Sequence, residues 1–322
     1  MTEKKIKFLN YIKEHLSEKI SKKVIETELG INDDEFAQLL KSLKNYGFKV
    51  IESDTHIWME SYPEIFSLTD IIIHTKVIGK KILPFFDVIS TNDIALMLAI
   101  QGEKEGTVVI SERQRKGRGK GGSVWFSPSD AGLWLSVIFR PKFHMTGVEK
   151  FTLLSAAVIV ETVKELFNLD AWIKWPNDVM INDKKFCGIL SEGKITSGTI
   201  DFIVSGIGIN VNINKDEFPL DLQESSTSLN LELNQKVNRN DLFSAIMLNL
   251  DRKYELLKTN PEVVYKAWKQ YSNIIGRRIK IQTPEGELEG AALDFDENGF
   301  LIIRLDSGIE KKITSGTITK VD

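Results

Sequence analysis

A single cysteine in 322 residues excludes a disulfide framework and a cysteine-based zinc site. Four histidines, His15, His56, His74 and His144, show no metal-ligand spacing. No run of about 18 apolar residues occurs, and the opening MTEKKIKFLN lacks the apolar stretch of a secretory signal. No membrane partner is therefore expected, and a cytoplasmic protein is the default. Neither sign of charge dominates, because 42 Lys and Arg face 45 Asp and Glu, so affinity for a polyanion has to come from a local patch. The 22 Gly and 8 Pro exclude collagen-like and low-complexity architectures. What is present is an ordinary globular composition, 42% apolar and 27% charged, long enough for about two domains or more.

Three segments follow one another. In the first, Ile6, Leu9, Ile12, Leu16 and Ile20 recur at helical spacing. A second helix from Lys22 to Leu29 stops at Gly30, and Asn32 with Glu35 can form a capping box for a third, carrying Phe36, Leu39, Leu40 and Leu43 and ending at Gly47. A hairpin over 49–51 and 57–59 completes the order of a winged helix-turn-helix domain, residues 1–66. The middle segment, 70–272, offers strands at 83–89, 107–111, 133–139, 172–181, 185–191 and 201–213. Its long helices are predicted at 149–167 and 241–257. Strands joined directly by turns, as at Asn182-Asp183, predict an α+β sheet covered on one side rather than a doubly wound one. From 273 to 322, short strands punctuated by Pro284-Glu285-Gly286, Asp296-Glu297-Asn298-Gly299 and Asp306-Ser307-Gly308 suggest a small β-barrel.

Five of the eight residues from Arg113 to Lys120 are cationic and none is acidic. In a slightly acidic chain this glycine-bearing stretch is a concentrated positive site. Glycines let backbone N–H groups approach an anion, and Arg forks bind carboxylate or phosphate oxygens. Residues 117–122 match G-x-G-x-x-G, but no helix begins after them, which excludes a dinucleotide fingerprint, and no Lys-Ser/Thr pair follows the last glycine for a Walker loop. A solvated surface loop is the bland alternative.

Other segments are informative in combination. Ser90-Thr91-Asn92 precedes a helical stretch and alone reads as an N-cap. Lys174-Trp175-Pro176-Asn177-Asp178 interrupts a strand where Pro blocks ladder pairing. Lys185 opens the strand Phe186-Cys187-Gly188-Ile189-Leu190, in which Cys187 reads as a packed core thiol; Trp134 and Trp172 read as packing residues too. Gly206 and Gly208 stand inside a strand, where close approach of a ligand or another backbone is the usual cause.

In this order the four segments at 90–92, 114–119, 174–178 and 185–190 resemble the biotin protein ligase family, in its long form with an N-terminal winged helix that doubles as a biotin operon repressor. The resemblance implies a class II aminoacyl-tRNA-synthetase-like central sheet and a C-terminal SH3-like β-barrel. It implies activation of biotin with ATP, accompanied by Mg²⁺, to biotinyl-AMP, and transfer to a lysine of a biotin carboxyl carrier protein or domain. Ser90, Thr91, Asn92, Gln114, Arg118, Gly119, Lys120 and Lys185 are implied around biotin. Arg118, Trp125, Asn177 and Asn210 are implied around the nucleotide, and Lys185, Arg118 and Lys120 at the reacting centre. Metal ligands cannot be assigned. A homodimer and a DNA operator are further implied partners. Ligation of another short acyl acid such as lipoate, or a chiefly regulatory protein, are the alternatives; the Lys-Trp-Pro-Asn-Asp segment and the C-terminal strands favour biotin.

Two features depart from the family pattern. Lys120 and Ser123 stand where Arg is common, and a lysine binds phosphate as a point charge without the planar fork. Residues 1–66 hold 10 Lys and no Arg against 12 Asp and Glu, and the third helix opens with Asp33-Asp34-Glu35. Those acids predict weak operator binding, since phosphate contacts carry most DNA affinity.

Overall fold

The structure, a computed structural model, describes residues 7–8, 11–12, 15, 18–45, 48–61, 73–141, 147–197, 199–296 and 298–321. Ile6, Leu9, Leu16, Gly47 and His144 lie outside the described residues. The chain forms two compact units, Met1–Ser67 and Leu68–Asp322.

In the first unit, helices α1 (Lys22–Leu29) and α2 (Asp33–Asn45) accompany a three-stranded sheet of β1 (Ile20–Ser21), β2 (Lys49–Glu52) and β3 (His56–Ser61), in the order β1-β3-β2. Gly30 ends α1 in the left-handed region, φ 61°, which favours glycine. The predicted capping box forms: Glu35 N–H donates to Asn32 Oδ1 at 2.9 Å and Asn32 N–H to Glu35 Oε2 at 3.3 Å. Ile20 does not belong to the first helix. It sits in β1 and pairs with Ile57, where a buried β-branched residue serves the sheet as well as a helix face. Phe8 and Ile12 are buried, and Phe8 meets Phe36 edge to face at 5.7 Å.

The second unit is built on a seven-stranded mixed sheet, β4 (Lys81–Val88), β5 (Thr107–Gln114), β8 (Gly132–Phe139), β12 (Thr199–Asn210), β11 (Lys184–Thr196), β10 (Asp178–Ile181) and β9 (Trp172–Lys174), in that spatial order. β6 (Gly117–Arg118) and β7 (Val124–Trp125) form a separate small hairpin. Only β4 and β5 run parallel, joined through helix α3 (Thr91–Ile100); the other neighbours in the large sheet are antiparallel. The predicted strand 172–181 is two strands, β9 and β10, folded antiparallel around Trp175-Pro176-Asn177, because proline cannot donate to the ladder.

Side chains alternate between faces along a strand. On one face Ser205 of β12 meets Ser155 of helix α4 (Glu149–Phe167) at 2.9 Å. On the other, Val204 packs with Val109, Ile138 and Phe202 against Ala95 and Ala99 of α3. The sheet is therefore covered on both faces, not one, since the apolar run Ile94–Ile100 needs burial as much as α4 does. Helices α5 (Leu229–Leu233), α6 (Arg239–Thr259) and α7 (Pro261–Tyr271) follow. α4 is buried nearly all round between sheet and α6, where Phe139, Phe151 and Tyr254 cluster, with ring centroids 4.9–6.2 Å apart.

Strands β13 (Arg278–Thr283), β14 (Gly286–Phe295), β15 (Leu301–Leu305), β16 (Glu310–Ile313) and β17 (Thr317–Val321) make a five-stranded antiparallel sheet, ordered β16-β15-β14-β13-β17. It docks on the large sheet's helices through Trp268 on Phe295 and through Gly299, whose carbonyl accepts from Trp175 Nε1 at 3.0 Å. A Cβ at Gly299 would stand 2.5 Å from Leu153 Cδ1, and its φ is 81°, so both space and backbone require glycine there.

Candidate functional site

A cavity of about 430 Å³ opens on the α3 face of the large sheet. Its lining includes all eleven residues singled out above: Ser90, Thr91, Asn92, Gln114, Arg118, Gly119, Lys120, Trp125, Asn177, Lys185 and Asn210. The floor is a strip without side chains. Gly188 of β11 pairs with Gly208 of β12, and Gly206 lies two residues before it on the same face. A Cβ at Gly206 would stand 2.1 Å from Asn92 Oδ1, and one at Gly208 2.4 Å from Trp125 Nε1. Within the chain, two side chains, Asn92 and Trp125, approach these glycines, and both glycines line the cavity.

One wall is the start of α3. Ser90 holds the N-cap position, yet its side chain makes no cap hydrogen bond. Thr91 donates to Gln114 Oε1 through its N–H at 2.8 Å and its hydroxyl at 3.1 Å. Gln114 Nε2 donates in turn to Ser127 Oγ at 2.9 Å. Ser136 Oγ lies 2.8 Å from Thr91 Oγ1 and 2.6 Å from Asn92 Oδ1, while Asn92 Nδ2 donates to Leu190 O at 3.1 Å and Glu192 Oε2 at 3.0 Å. All three residues of the Ser-Thr-Asn segment are buried, and the network answers the cost of burying the polar groups of Thr91 and Asn92.

The opposite wall carries the cations. The basic stretch runs from the end of β5, where Arg113 is exposed, through a turn with Arg115 and Lys116 exposed into the β6–β7 hairpin, in which Gly117 pairs with Trp125 and Arg118 with Val124. Its turn places Gly121 and Gly122 at φ 67° and 83°. Trp125 lies over Gly188 and Gly208, and its Nε1 is buried without a hydrogen-bond partner. Arg118 Nη2 pairs with Glu192 Oε2, and Arg118 Nε stands 3.0 Å from Asp93 Oδ1. Lys185 Nζ is 2.6 Å from Asp178 Oδ1 and 4.9 Å from the Trp125 ring centroid. Lys120 is exposed as a residue, but its Nζ turns inward, donating to Gly316 O at 3.2 Å and standing 5.6 Å from the Trp175 ring centroid. Burial of that ammonium holds it below the ordinary lysine range, against the opposing pull of Asp178 and Glu149.

Asn177 and Asn210 line the cavity, but their amides face the chain: Asn177 Nδ2 donates to Ile189 O at 2.8 Å, and Asn210 Nδ2 to Thr227 O at 3.0 Å. Each fixes a neighbouring segment and presents its other atoms to the cavity. Cys187 is wholly buried, and burial pushes its thiol up, as suits a core residue. Asp93, Asp178 and Glu192 escaped assignment from sequence. Asp178 was visible within Lys-Trp-Pro-Asn-Asp, and Glu192 only as a carboxylate on the face of β11 shared with Gly188. Among the described residues no three His, Cys, Asp or Glu side chains cluster to hold a metal, and no helix is long and apolar enough to cross a membrane.

The cavity thus combines three cations, two of them paired with acids, with a polar pocket at a helix start. The sequence model of the biotin/lipoate A/B protein ligase family matches residues 85–210, and that of the biotin protein ligase C terminal domain matches residues 274–321. The bifunctional ligase/repressor BirA of Bacillus subtilis is 35% identical over 248 residues, 76% of this chain and 76% of that protein. The BirA of Escherichia coli is 31% identical over 239 residues, 74% and 73% of the two chains. The biotin protein ligase from Aquifex aeolicus in complex with biotin and ATP superposes with a TM-score of 0.65 at 25% identity, covering 76% of this chain and all of that one.

Proposed function

The chain belongs to the biotin protein ligase family, and we propose that its cavity activates biotin with ATP and hands the acyl group to a lysine of a biotin carboxyl carrier protein. The observation that carries this reading is the convergence of Arg118, Lys120 and Lys185 with the Ser90–Asn92 segment in one cavity. A biotin carboxylate oxygen attacks the α-phosphorus of ATP, the α–β phosphoanhydride bond breaks, and pyrophosphate leaves. An acceptor lysine nitrogen then attacks the acyl carbon, the carbon–oxygen bond to phosphate breaks, AMP leaves, and the amine gives up a proton. Two anions must meet in the first step. Cations fixed in place before the ligands arrive offset that repulsion and the charge growing on the phosphate, which is the larger part of such catalysis.

Ser90, Thr91, Asn92 and Gln114 supply hydrogen-bonding groups to the biotin ring. Arg118, Gly119, Lys120 and Lys185 meet the carboxylate and α-phosphate, and Trp125, Asn177 and Asn210 form the nucleotide side, where an indole face packs on a base. Mg²⁺ would enter with the triphosphate, held by its phosphate oxygens, since a hard cation takes oxygen ligands. Bound there it would neutralise phosphate charge. Incubating the chain with ATP, Mg²⁺ and biotin should label a biotin carrier domain, and lipoate in place of biotin should not; labelling by lipoate alone would overturn the assignment.

Lys120 gives a pH prediction. Because burial lowers its affinity for a proton, its charge is present at neutral pH and is lost as pH rises through a value below the ordinary 10.5. Adenylate affinity should fall along that alkaline limb. Lys120→Arg, which keeps its charge through the alkaline range, should remove the limb and slow adenylate dissociation by about tenfold through its second prong. A dissociation-rate profile against pH checks both, and equal rates would remove the idea.

We assign residues 70–272 to the ligase domain, 273–322 to an SH3-like barrel and 1–66 to a winged helix-turn-helix domain in a cytoplasmic protein. For the first unit the charge distribution favours a weak DNA binder. Asp33, Asp34 and Glu35 sit in the first turn of α2, where they suit the helix dipole but face phosphates unfavourably. Lys22 and Lys44 are held by Glu52 at 2.8 and 2.9 Å, and these bonds keep its carboxyl below the usual range. Gel shifts against the upstream region of the chain's own biotin genes, with biotin and ATP present, should give affinities no better than about 10⁻⁶ M at physiological salt. Nanomolar binding would restore a repressor role, with the homodimer that a palindromic operator requires.

A further inference from the structure

Glu192 stands beside the cavity rather than in its lining. Its carboxylate lies on the face of β11 shared with Gly188, and it contacts two of the groups that the ligase reading places around biotin. Oε2 receives both Arg118 Nη2 and Asn92 Nδ2, the latter at 3.0 Å. The donors come from the β6–β7 hairpin and the start of α3, which also meet through Arg118 Nε and Asp93 Oδ1 at 3.0 Å and, just outside both, through Arg115 N–H on Val88 O and Lys116 N–H on Ile89 O. One carboxylate oxygen adds a link from the hairpin to Asn92 itself.

We propose that Glu192 is a positioning residue that fixes the orientation of Arg118 before ligand arrives and couples it to Asn92. The geometry supports a specific division of the guanidinium. Nη2 is held by Glu192, whereas Nε, although 3.0 Å from Asp93 Oδ1, is buried without a properly aligned hydrogen bond, so that contact is electrostatic only. Two of the three guanidinium nitrogens are thus held by acids before ligand arrives. Asn92 is set from both ends, its amide by Glu192 and Leu190 O and its carbonyl oxygen by Ser136 at 2.6 Å. A freely rotating Arg118 would lose conformational freedom on each binding event; one already held does not, and the preorganisation outweighs the repulsion of a carboxylate that its partners largely neutralise. The inference rests on the ligase reading for the identity of the acid, but the coupling between hairpin and wall does not depend on it.

The test uses the full-length chain with Glu192→Gln and Glu192→Asp. In the ligand-free protein, amide hydrogen exchange over 116–124 should speed up by about tenfold in Glu192→Gln, the size expected for losing a hydrogen bond to a charged group at a part-exposed site, with β8 amides unchanged. In biotin-dependent pyrophosphate exchange, the KM for biotin should rise by about tenfold, more than the KM for ATP, while the melting temperature stays put, and Glu192→Asp should recover part of the loss. Unchanged exchange and KM would overturn the proposal. A lower KM for biotin would overturn it too, making Glu192 a competitor of the ligand, as would a parallel fall in kcat and melting temperature, which marks a merely structural residue. Absence of turnover in the unaltered chain would overturn the ligase reading alone, and the exchange ratio would still decide the role of Glu192.

Discussion

Replacing Lys185 with alanine should slow acyl-adenylate formation by about 10²- to 10³-fold, the usual loss when one preorganised charge donor is taken from a reacting centre. Lys185 Nζ is held from two sides, by Asp178 Oδ1 at 2.6 Å and by the face of Trp125 at 4.9 Å. Its backbone is fixed as well: Lys185 N–H donates to Ser225 O and Thr227 N–H to Lys185 O, both at 2.9 Å. The ammonium is therefore in place before either substrate, which is the condition for a large effect on the chemical step rather than on binding alone. Removing it also uncovers Asp178, whose negative charge then faces the incoming carboxylate and phosphate. Part of the loss should accordingly return in the double variant Lys185→Ala/Asp178→Asn, because the two residues act as a unit and their effects do not add. Single-turnover adenylate formation measures this. A loss below about tenfold in Lys185→Ala, or a double variant slower than the single one, would remove Lys185 from the reacting centre.

The cations of the site were legible in sequence because each stands in a compositional anomaly, five positive residues among eight in a slightly acidic chain and a lysine opening an apolar strand. The carboxylates that hold them were not, for acids are common everywhere and only the fold brings Glu192 beside Arg118 or Asp178 beside Lys185. The hairpin was hidden for a related reason. Two-residue strands leave no period-2 signal, so Gly117–Arg118 and Val124–Trp125 read as loop until the indole of Trp125 is seen to need the floor of Gly188 and Gly208. Periodicity served best where burial is one-sided or complete: helix α4 runs over the residues its pattern predicts. It failed at Ile20, where a helical spacing continued by chance into a strand. The covering of the second sheet face was missed because Ile94–Ile100 is short enough to pass for a helix of either exposure.

The largest stability effect is expected at Glu112 and Arg239, an ion pair that closes the base of the hairpin. Glu112 ends the buried part of β5 two residues before Gln114; its Oε1 accepts from Asp130 N–H at 2.7 Å and from Arg239 Nη1 at 2.6 Å, and Arg239 Nη1 also reaches Gly132 O at 3.2 Å. The segment entering the hairpin and the segment leaving it are thus tied to the first turn of α6 through two side chains with 0% and 4% exposure. Burial pushes the Glu112 carboxyl up and the Arg239 charge pulls it back, so the pair persists only while both partners are present. Arg239→Ala leaves the buried Glu112 carboxylate without its guanidinium and should cost about 3–5 kcal/mol, and Glu112→Ala should cost less because Arg239 Nη2 keeps Asp130 Oδ1 at 3.7 Å. For a unit of this size the Arg239→Ala loss is roughly a 10 °C drop in melting temperature. Replacing both by methionine should cost far less, since apolar substitutes of similar volume avoid the desolvation that the pair must overcome. The sites differ in kind: the Glu112 variants should lose stability and the hairpin's attachment together, whereas Lys185→Ala should melt like the unaltered chain. Equal melting temperatures for Arg239→Ala and the unaltered chain would mean that water reaches the pair, and that the hairpin is anchored elsewhere.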